Sequence, residues 1–196
     1  VISTYTEHPM RTLEPTDRLV RAQAGTAGLP RESRDVRFAL RHGYTLGQIE
    51  RSSELQLPLP REREHGLTMT LDGYRLVSWW GAAPDDLLEQ FAAMKSRMST
   101  DIPQTGIAVD PEDWDGERVR SQERTLVARG EPLLVTAAVH EAGGGIAAYT
   151  ELAVPADGTK AEQYDTLVAR AHRGHRLGTA VKLRNIQELG RRAPHI

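Results

Sequence analysis

The chain has 196 residues, of which 25 are Lys or Arg and 27 are Asp or Glu, so its net charge is 25 − 27 = −2; it has seven histidines and no cysteine. A chain of this length can bury a real core, as one large domain or two small ones. The charge balance gives no global pull toward nucleic acid or an anionic membrane, the missing thiols exclude disulfides, thiolate metal sites and a cysteine nucleophile, and no apolar run approaches the roughly 18 residues a membrane-spanning helix needs.

In chain order, Val1 to Thr6 reads as a strand and residues 7–30 as a polar loop. Ser33 to His42 suits a helix closed by Gly43 at its C-terminal cap. Tyr44-Thr45-Leu46 and Ile49 to Leu59 read as strand, with Ile49, Leu55, Leu57 and Leu59 as apolar markers. A charged linker between prolines follows, from Pro60 to Gly66.

Tyr74 to Trp80 is aromatic and β-branched and predicts a strand. Pro84 suits the first position of a helix, and Leu87, Leu88, Phe91, Met94 and Met98 then repeat at the spacing of one buried helix face. Asp110 is the expected cap of a second helix that reaches about Arg129, buries Trp114 and Leu126, and stops at Gly130. Pro132 to His140 and Gly145 to Pro155 flank Ala142-Gly143-Gly144-Gly145 and predict a hairpin.

The most telling segment is the last. A strand over Tyr164 to Val168 enters a turn, His172-Arg173-Gly174-His175-Arg176-Leu177-Gly178, which opens a helix over Thr179 to Leu189. Such a turn aims backbone N–H groups and the positive end of a helix dipole at one spot, which attracts phosphate or pyrophosphate. Seven Arg or Lys residues against the single acid Glu188, between Arg170 and Ile196, give that end a local preference for anions. No Lys-Ser or Lys-Thr pair follows the glycines, and the three-glycine dinucleotide pattern is absent, which argues against a nucleoside triphosphate held with Mg²⁺.

Arg173-Gly174-x-x-Leu177-Gly178-x-Ala180 after a strand ending Leu167-Val168 resembles the acyl-CoA pyrophosphate loop of the GNAT superfamily of N-acyltransferases. The wider wording, from Asp165 through Gly178 and Lys182, is similar to bacterial members with two such modules in tandem. Ala171 stands where that pattern has Arg or Gln, and Arg176 where it has a second small residue; Arg176 could either obstruct the phosphates or grip them. Leu40-Arg41-His42-Gly43-Tyr44 resembles the end of a first module, with Ala39 where many members place the tyrosine that protonates the departing thiolate.

The resemblance implies an α/β (α+β) fold, with a GNAT-like mixed sheet flanked by helices and two partial modules in tandem. Residues 1–60 would be the C-terminal part of a degenerate first module, 61–70 a linker, and 71–196 the N-terminal part of a second. It implies direct attack of an amine on the thioester of acyl-CoA, most simply acetyl-CoA, used as co-substrate. Thr166, Leu167 and Val168 would meet the pantetheine and carbonyl, and Arg173, Gly174, His175, Arg176, Leu177, Gly178 and Thr179 the pyrophosphate. Glu151 and Asp165 are the candidate general bases; Glu151 is preferred because it shares a strand face with Tyr149. The residue that protonates the thiolate is expected beyond Ile196, since the chain reads as a fragment. The acceptor would be a small-molecule amine or an amino group on a larger molecule.

The alternative is a non-catalytic module of the same fold that binds CoA or a protein partner. His172 and His175 lie three apart in a turn with no carboxylate partner nearby in sequence, so no metal is expected. No nucleic-acid or membrane partner is expected, a homodimer is conceivable, and with no visible signal peptide the expected location is the cytoplasm.

Overall fold

The computed structural model describes residues 4–9, 13–23, 26–62, 70–101, 110–156 and 158–196. The chain separates into two compact units. One comprises residues 1–54 with 103–109, and the other residues 55–102 with 110–196.

In the first unit, β1 (Leu19–Arg21) pairs antiparallel with β2 (Gly28–Pro30), and α1 follows over Arg34–Arg41. The hairpin lies where the sequence suggested only loop. Its strands are three residues long and contain a glycine and a proline, both weak strand formers. The chain leaves α1 through Gly43 at φ +79°, the left-handed position expected of a C-terminal glycine. Residues 4–6 and 44–59 form no strand. Leu55, Leu57 and Leu59 do alternate, but Pro58 between them has no N–H to give a ladder, and among the described residues no strand pairs with either stretch. Val1, Ile2 and Ser3 of the expected first strand, and most of the expected linker, lie outside the described residues.

The second unit is built on one sheet. β3 (Tyr74–Trp80), β4 (Leu133–His140), β5 (Ile146–Ala153) and β6 (Glu162–Val168) pair in that order, every pair antiparallel. β4 and β5 are central and buried almost throughout, so β4 reads as a nearly continuous apolar run. One face carries Trp79, Val135, Ala137, Tyr149 and Leu167, which pack with Phe91 and Met94 of α2 (Leu88–Asp101) and Val119 and Leu126 of α3 (Gly116–Ala128). The opposite face carries Leu134, Ala138, Ala148 and Leu152, covered by Leu177, Val181 and Leu189 of α4 (Leu177–Arg192).

The cap of α3 is Asp115, whose carboxylate accepts from Arg118 N–H at 2.8 Å, and not Asp110. The preceding residues are held extended: Ser99 Oγ accepts from Glu112 N–H at 3.0 Å and Ser96 Oγ from Trp114 N–H at 2.8 Å. Those bonds to α2 take the amides that a longer helix would have used. A polar tie also joins α4 to the sheet. Asn185, 1% exposed, donates to Leu134 O at 3.0 Å and accepts from Thr136 Oγ1 at 2.9 Å.

Candidate active site

Edge strand β6 positions the expected thioester contacts. Between the Thr150–Thr166 and Leu152–Gln163 pairs, two residues of β6, Tyr164 and Asp165, stand against one of β5, Glu151. This is a β-bulge, which bends an edge strand and re-aims its side chains. Just beyond it, Ala169 N–H donates to Ala147 O at 2.9 Å, whereas Val168 O accepts from Arg173 Nε at 3.3 Å. Carbonyl and amide of one strand residue point to the same side, and alternate residues point to opposite sides. Val168 N–H therefore faces the open edge of the sheet, away from β5.

The side chains of the three expected thioester contacts are used internally. Thr166 Oγ1 lies 2.7 Å from Thr150 Oγ1, Leu167 is 4% exposed in the core beneath α2, and Val168 packs in the cluster of Leu177 and Val181. Of these three residues it is the backbone that is left to meet a ligand.

The turn after β6 begins with a short 3₁₀ segment, Arg170–His172. Gly174 then takes φ +90° and Arg176 φ +57°, and α4 starts at Leu177. The left-handed conformation at Gly174 is open to glycine at no steric cost, whereas a side chain there would be strained. Thr179 and Ala180 N–H both donate to Arg176 O at 3.1 Å, so the amides of Leu177 and Gly178 lie ahead of the first helical bond. Leu177 is 1% exposed and anchors the helix. A methyl group on Gly178 would stand 3.5 Å from Val168 Cγ2, a contact that shows how closely the helix start approaches the β6 edge. His175, Arg176 and Thr179 are exposed.

Two arginines hold the turn in place. Arg173 donates to Asp101 O at 3.0 Å, and Arg170 pairs with Asp101 Oδ1 at 3.1 Å and donates to Thr100 O at 3.3 Å, both at the end of α2. Arg173 is thus a strut of the loop, which brings Gly174 through Thr179 to the mouth of α4.

Glu151 and Asp165 do come together, around a residue the sequence reading missed. Lys95 Nζ lies 2.9 Å from Glu151 Oε1 and 4.0 Å from Asp165 Oδ2. Lys95 and Glu151 are 3% and 1% exposed, whereas Asp165 is 41% exposed. The ammonium also lies 4.8 Å from the Trp114 ring centre, 5.4 Å from Phe91 and 6.0 Å from Tyr149, within reach of cation–π attraction. Burial pushes the Glu151 carboxyl above the usual range; the neighbouring ammonium opposes this and Asp165 adds to it. Burial, with Glu151 and Asp165 nearby, likewise pushes the Tyr149 phenol up, and its hydroxyl has no hydrogen-bond partner among the described residues. A signal for Lys95 existed in the sequence, because it lies four residues after Phe91 on the apolar stripe of α2.

A bulged edge strand with an outward amide runs through a left-handed glycine turn into a helix. No protein-family model matches the chain, and no curated protein does. Solved structures match. A tandem GNAT protein from the clavulanic acid biosynthesis pathway, solved without AcCoA, superposes with a TM-score of 0.54 at 30% identity, covering 66% of this chain and 36% of that one. The chain has the GNAT fold, and it spans about a third of the length of this relative. Two others are an acetyltransferase of Trypanosoma brucei (TM-score 0.39, 16% identity, covering 60% of this chain and 75% of that one) and glucosamine-6-phosphate N-acetyltransferase from Arabidopsis thaliana (0.41, 15%, 60% and 75%). These last two add nothing to the assignment.

Proposed function

We propose that the chain is the acyl-CoA-binding part of an N-acyltransferase that transfers an acyl group, most simply acetyl, from CoA to a primary amine. The carrying observation is the open Val168 amide followed by the Gly174–Gly178 turn at the mouth of α4. The amide would hold the thioester oxygen as charge develops on it, and the turn would take the diphosphate. The amine nitrogen attacks the carbonyl carbon, the C–S bond breaks, and sulfur leaves as thiolate with its electron pair.

Asp165 takes a proton from the acceptor's ammonium, directly or through a water, and frees the amine to attack, because it is the exposed carboxylate beside the bulge. Glu151 is closed in against Lys95 and acts through it, as a positioning residue. The acceptor is a small amine or an amino group on a larger molecule, and no nucleic acid takes part. A tandem arrangement of two modules, a possible homodimer and a cytoplasmic location complete the proposal. No helix among the described residues is long and apolar enough to cross a membrane.

The enclosure of Glu151 favours a second reading, a module that binds CoA without turnover. Thermal unfolding with acetyl-CoA, with CoA, and with a panel of amines separates the two. A ligand at 100 times its Kd stabilises by about 2.7 kcal/mol. A shift together with acyl transfer supports the enzyme, and a shift without turnover supports the binder. No shift with either thioester or thiol removes both.

A further inference from the structure

The turn carries a second cluster that the acyl-transfer reading does not use. Tyr74 opens β3 and faces His140 at the end of β4 in the sheet register. Its ring centre lies 5.3 Å from that of His140, 5.7 Å from that of His172 and 5.6 Å from that of His175, and the His140 and His172 centres are 5.1 Å apart. Tyr74 Oη is 2.9 Å from His172 Nδ1, and Gly143 N–H donates to His140 Nδ1 at 3.2 Å. Three imidazoles from two elements thus gather around one phenol, and two of them belong to the turn before α4.

The surrounding charge is one-sided. Arg97 of α2 acts on His172, and Arg170, Arg173 and Arg176 flank the two turn histidines. Among the described residues no carboxylate lies within ion-pair distance of any of the three imidazoles; the nearest acids along the chain, Asp72 and Glu141, are exposed, and Asp101 is engaged by Arg170. A structural ion-pair network would supply acids here. A site for an anion would leave them out.

We propose that His140, His172 and His175 with Tyr74 form a phosphomonoester site beside the diphosphate-binding turn. This rests on the acyl-CoA reading of that turn, and it assigns the imidazoles to the separate 3′-phosphate of the coenzyme. Burial, then His140, His175 and Arg97, holds the His172 imidazole below its ordinary value, so it is mainly neutral near pH 7 in the free protein. A phosphate dianion would restore the proton, and the linked uptake makes binding tighter as pH falls. Below about pH 6 the phosphomonoester loses its second charge and the gain ends.

Calorimetric titration of the purified chain with CoA and with 3′-dephospho-CoA, at pH 8.0, 7.2 and 6.5, tests this. The site predicts that CoA binds more tightly than its dephosphorylated form, with an advantage that grows by up to about tenfold per pH unit on acidification. His140→Gln, at the end of β4 and outside the turn, should shrink that advantage while dephospho-CoA binding changes little. Equal affinity of the two ligands at every pH overturns the phosphomonoester site and leaves the diphosphate turn standing. Binding of neither ligand overturns the turn assignment, and the inference falls with it.

Discussion

Lys95 Nζ sits 2.9 Å from Glu151 Oε1, with both side chains closed off from solvent. Two charges taken out of water hold each other there; loss of the ammonium leaves Glu151 buried without its cation, and loss of the carboxylate leaves the ammonium only Asp165, at 4.0 Å. Glu151→Gln or Lys95→Met should each cost about 3–5 kcal/mol. The double substitution should cost clearly less than the sum, because neither charge is then left behind. Urea unfolding of the four proteins measures the coupling. Additive losses would show that the two side chains do not share this environment.

Asp165 and Glu151 should separate in function although they share one ammonium. Asp165→Asn should lower turnover on a competent amine about 10²–10⁴-fold and leave the stabilisation by acetyl-CoA in place, because the side chain stands apart from the turn. If turnover on that amine survives unchanged, another group takes the proton.

Gly174 and Arg176 occupy left-handed backbone at φ +90° and +57°. Gly174→Ala should lose about 1–3 kcal/mol through strain alone, since an added Cβ meets nothing within 4 Å. Gly174→Glu should in addition abolish the thermal shift with acetyl-CoA, by placing an acid where the diphosphate would lie. Arg176→Gly should come out near neutral for stability, as relief of left-handed strain offsets the added freedom of the unfolded chain. The same change should weaken CoA binding more at low salt than at high salt if the guanidinium grips the phosphates.

The sheet of the second unit was legible because its residues carry strong local signals. The aromatic run at Tyr74 to Trp80 and the glycine turn after His140 each admit few alternatives, and β3 and the β4–β5 hairpin formed where expected. The start of α3 was misplaced because Asp110 and Asp115 are both acceptable caps, and the choice was made by Ser96 and Ser99 of α2, far away in sequence. β1 and β2 escaped notice because three-residue strands have no period to detect. At the site, the turn could be read from its glycines. The Lys95 partner of Glu151 and the Tyr74–His172 contact join residues 56 and 98 positions apart, which no local pattern encodes.

Asn185 ties α4 to the sheet from a buried position, through Thr136 and Leu134. Asn185→Leu keeps the branching and the number of side-chain heavy atoms and removes both bonds, leaving the Leu134 carbonyl without its side-chain donor. A loss of about 1–3 kcal/mol is expected, along with faster amide exchange in α4 than in α2. Since α4 carries the turn at its mouth, CoA affinity should fall too. Loss of affinity with unchanged exchange in α4 would locate the effect elsewhere.

His172 should make stability depend on pH with a definite sign. Its folded value is lowered by burial and by His140, His175 and Arg97. At a pH between the folded and unfolded values the unfolded chain binds more protons, so acidification favours unfolding. The contribution is present above the unfolded value, about 6.5, and is lost as pH falls through the folded one. Glu151 works in the opposite sense, since its raised folded value makes protonation favour the native state. The two are separated by comparing the native protein with His172→Gln. Urea midpoints measured from pH 8 to pH 5 should fall less steeply for the variant. Parallel curves would mean that the imidazole at this position does not feel the basic cluster that surrounds it.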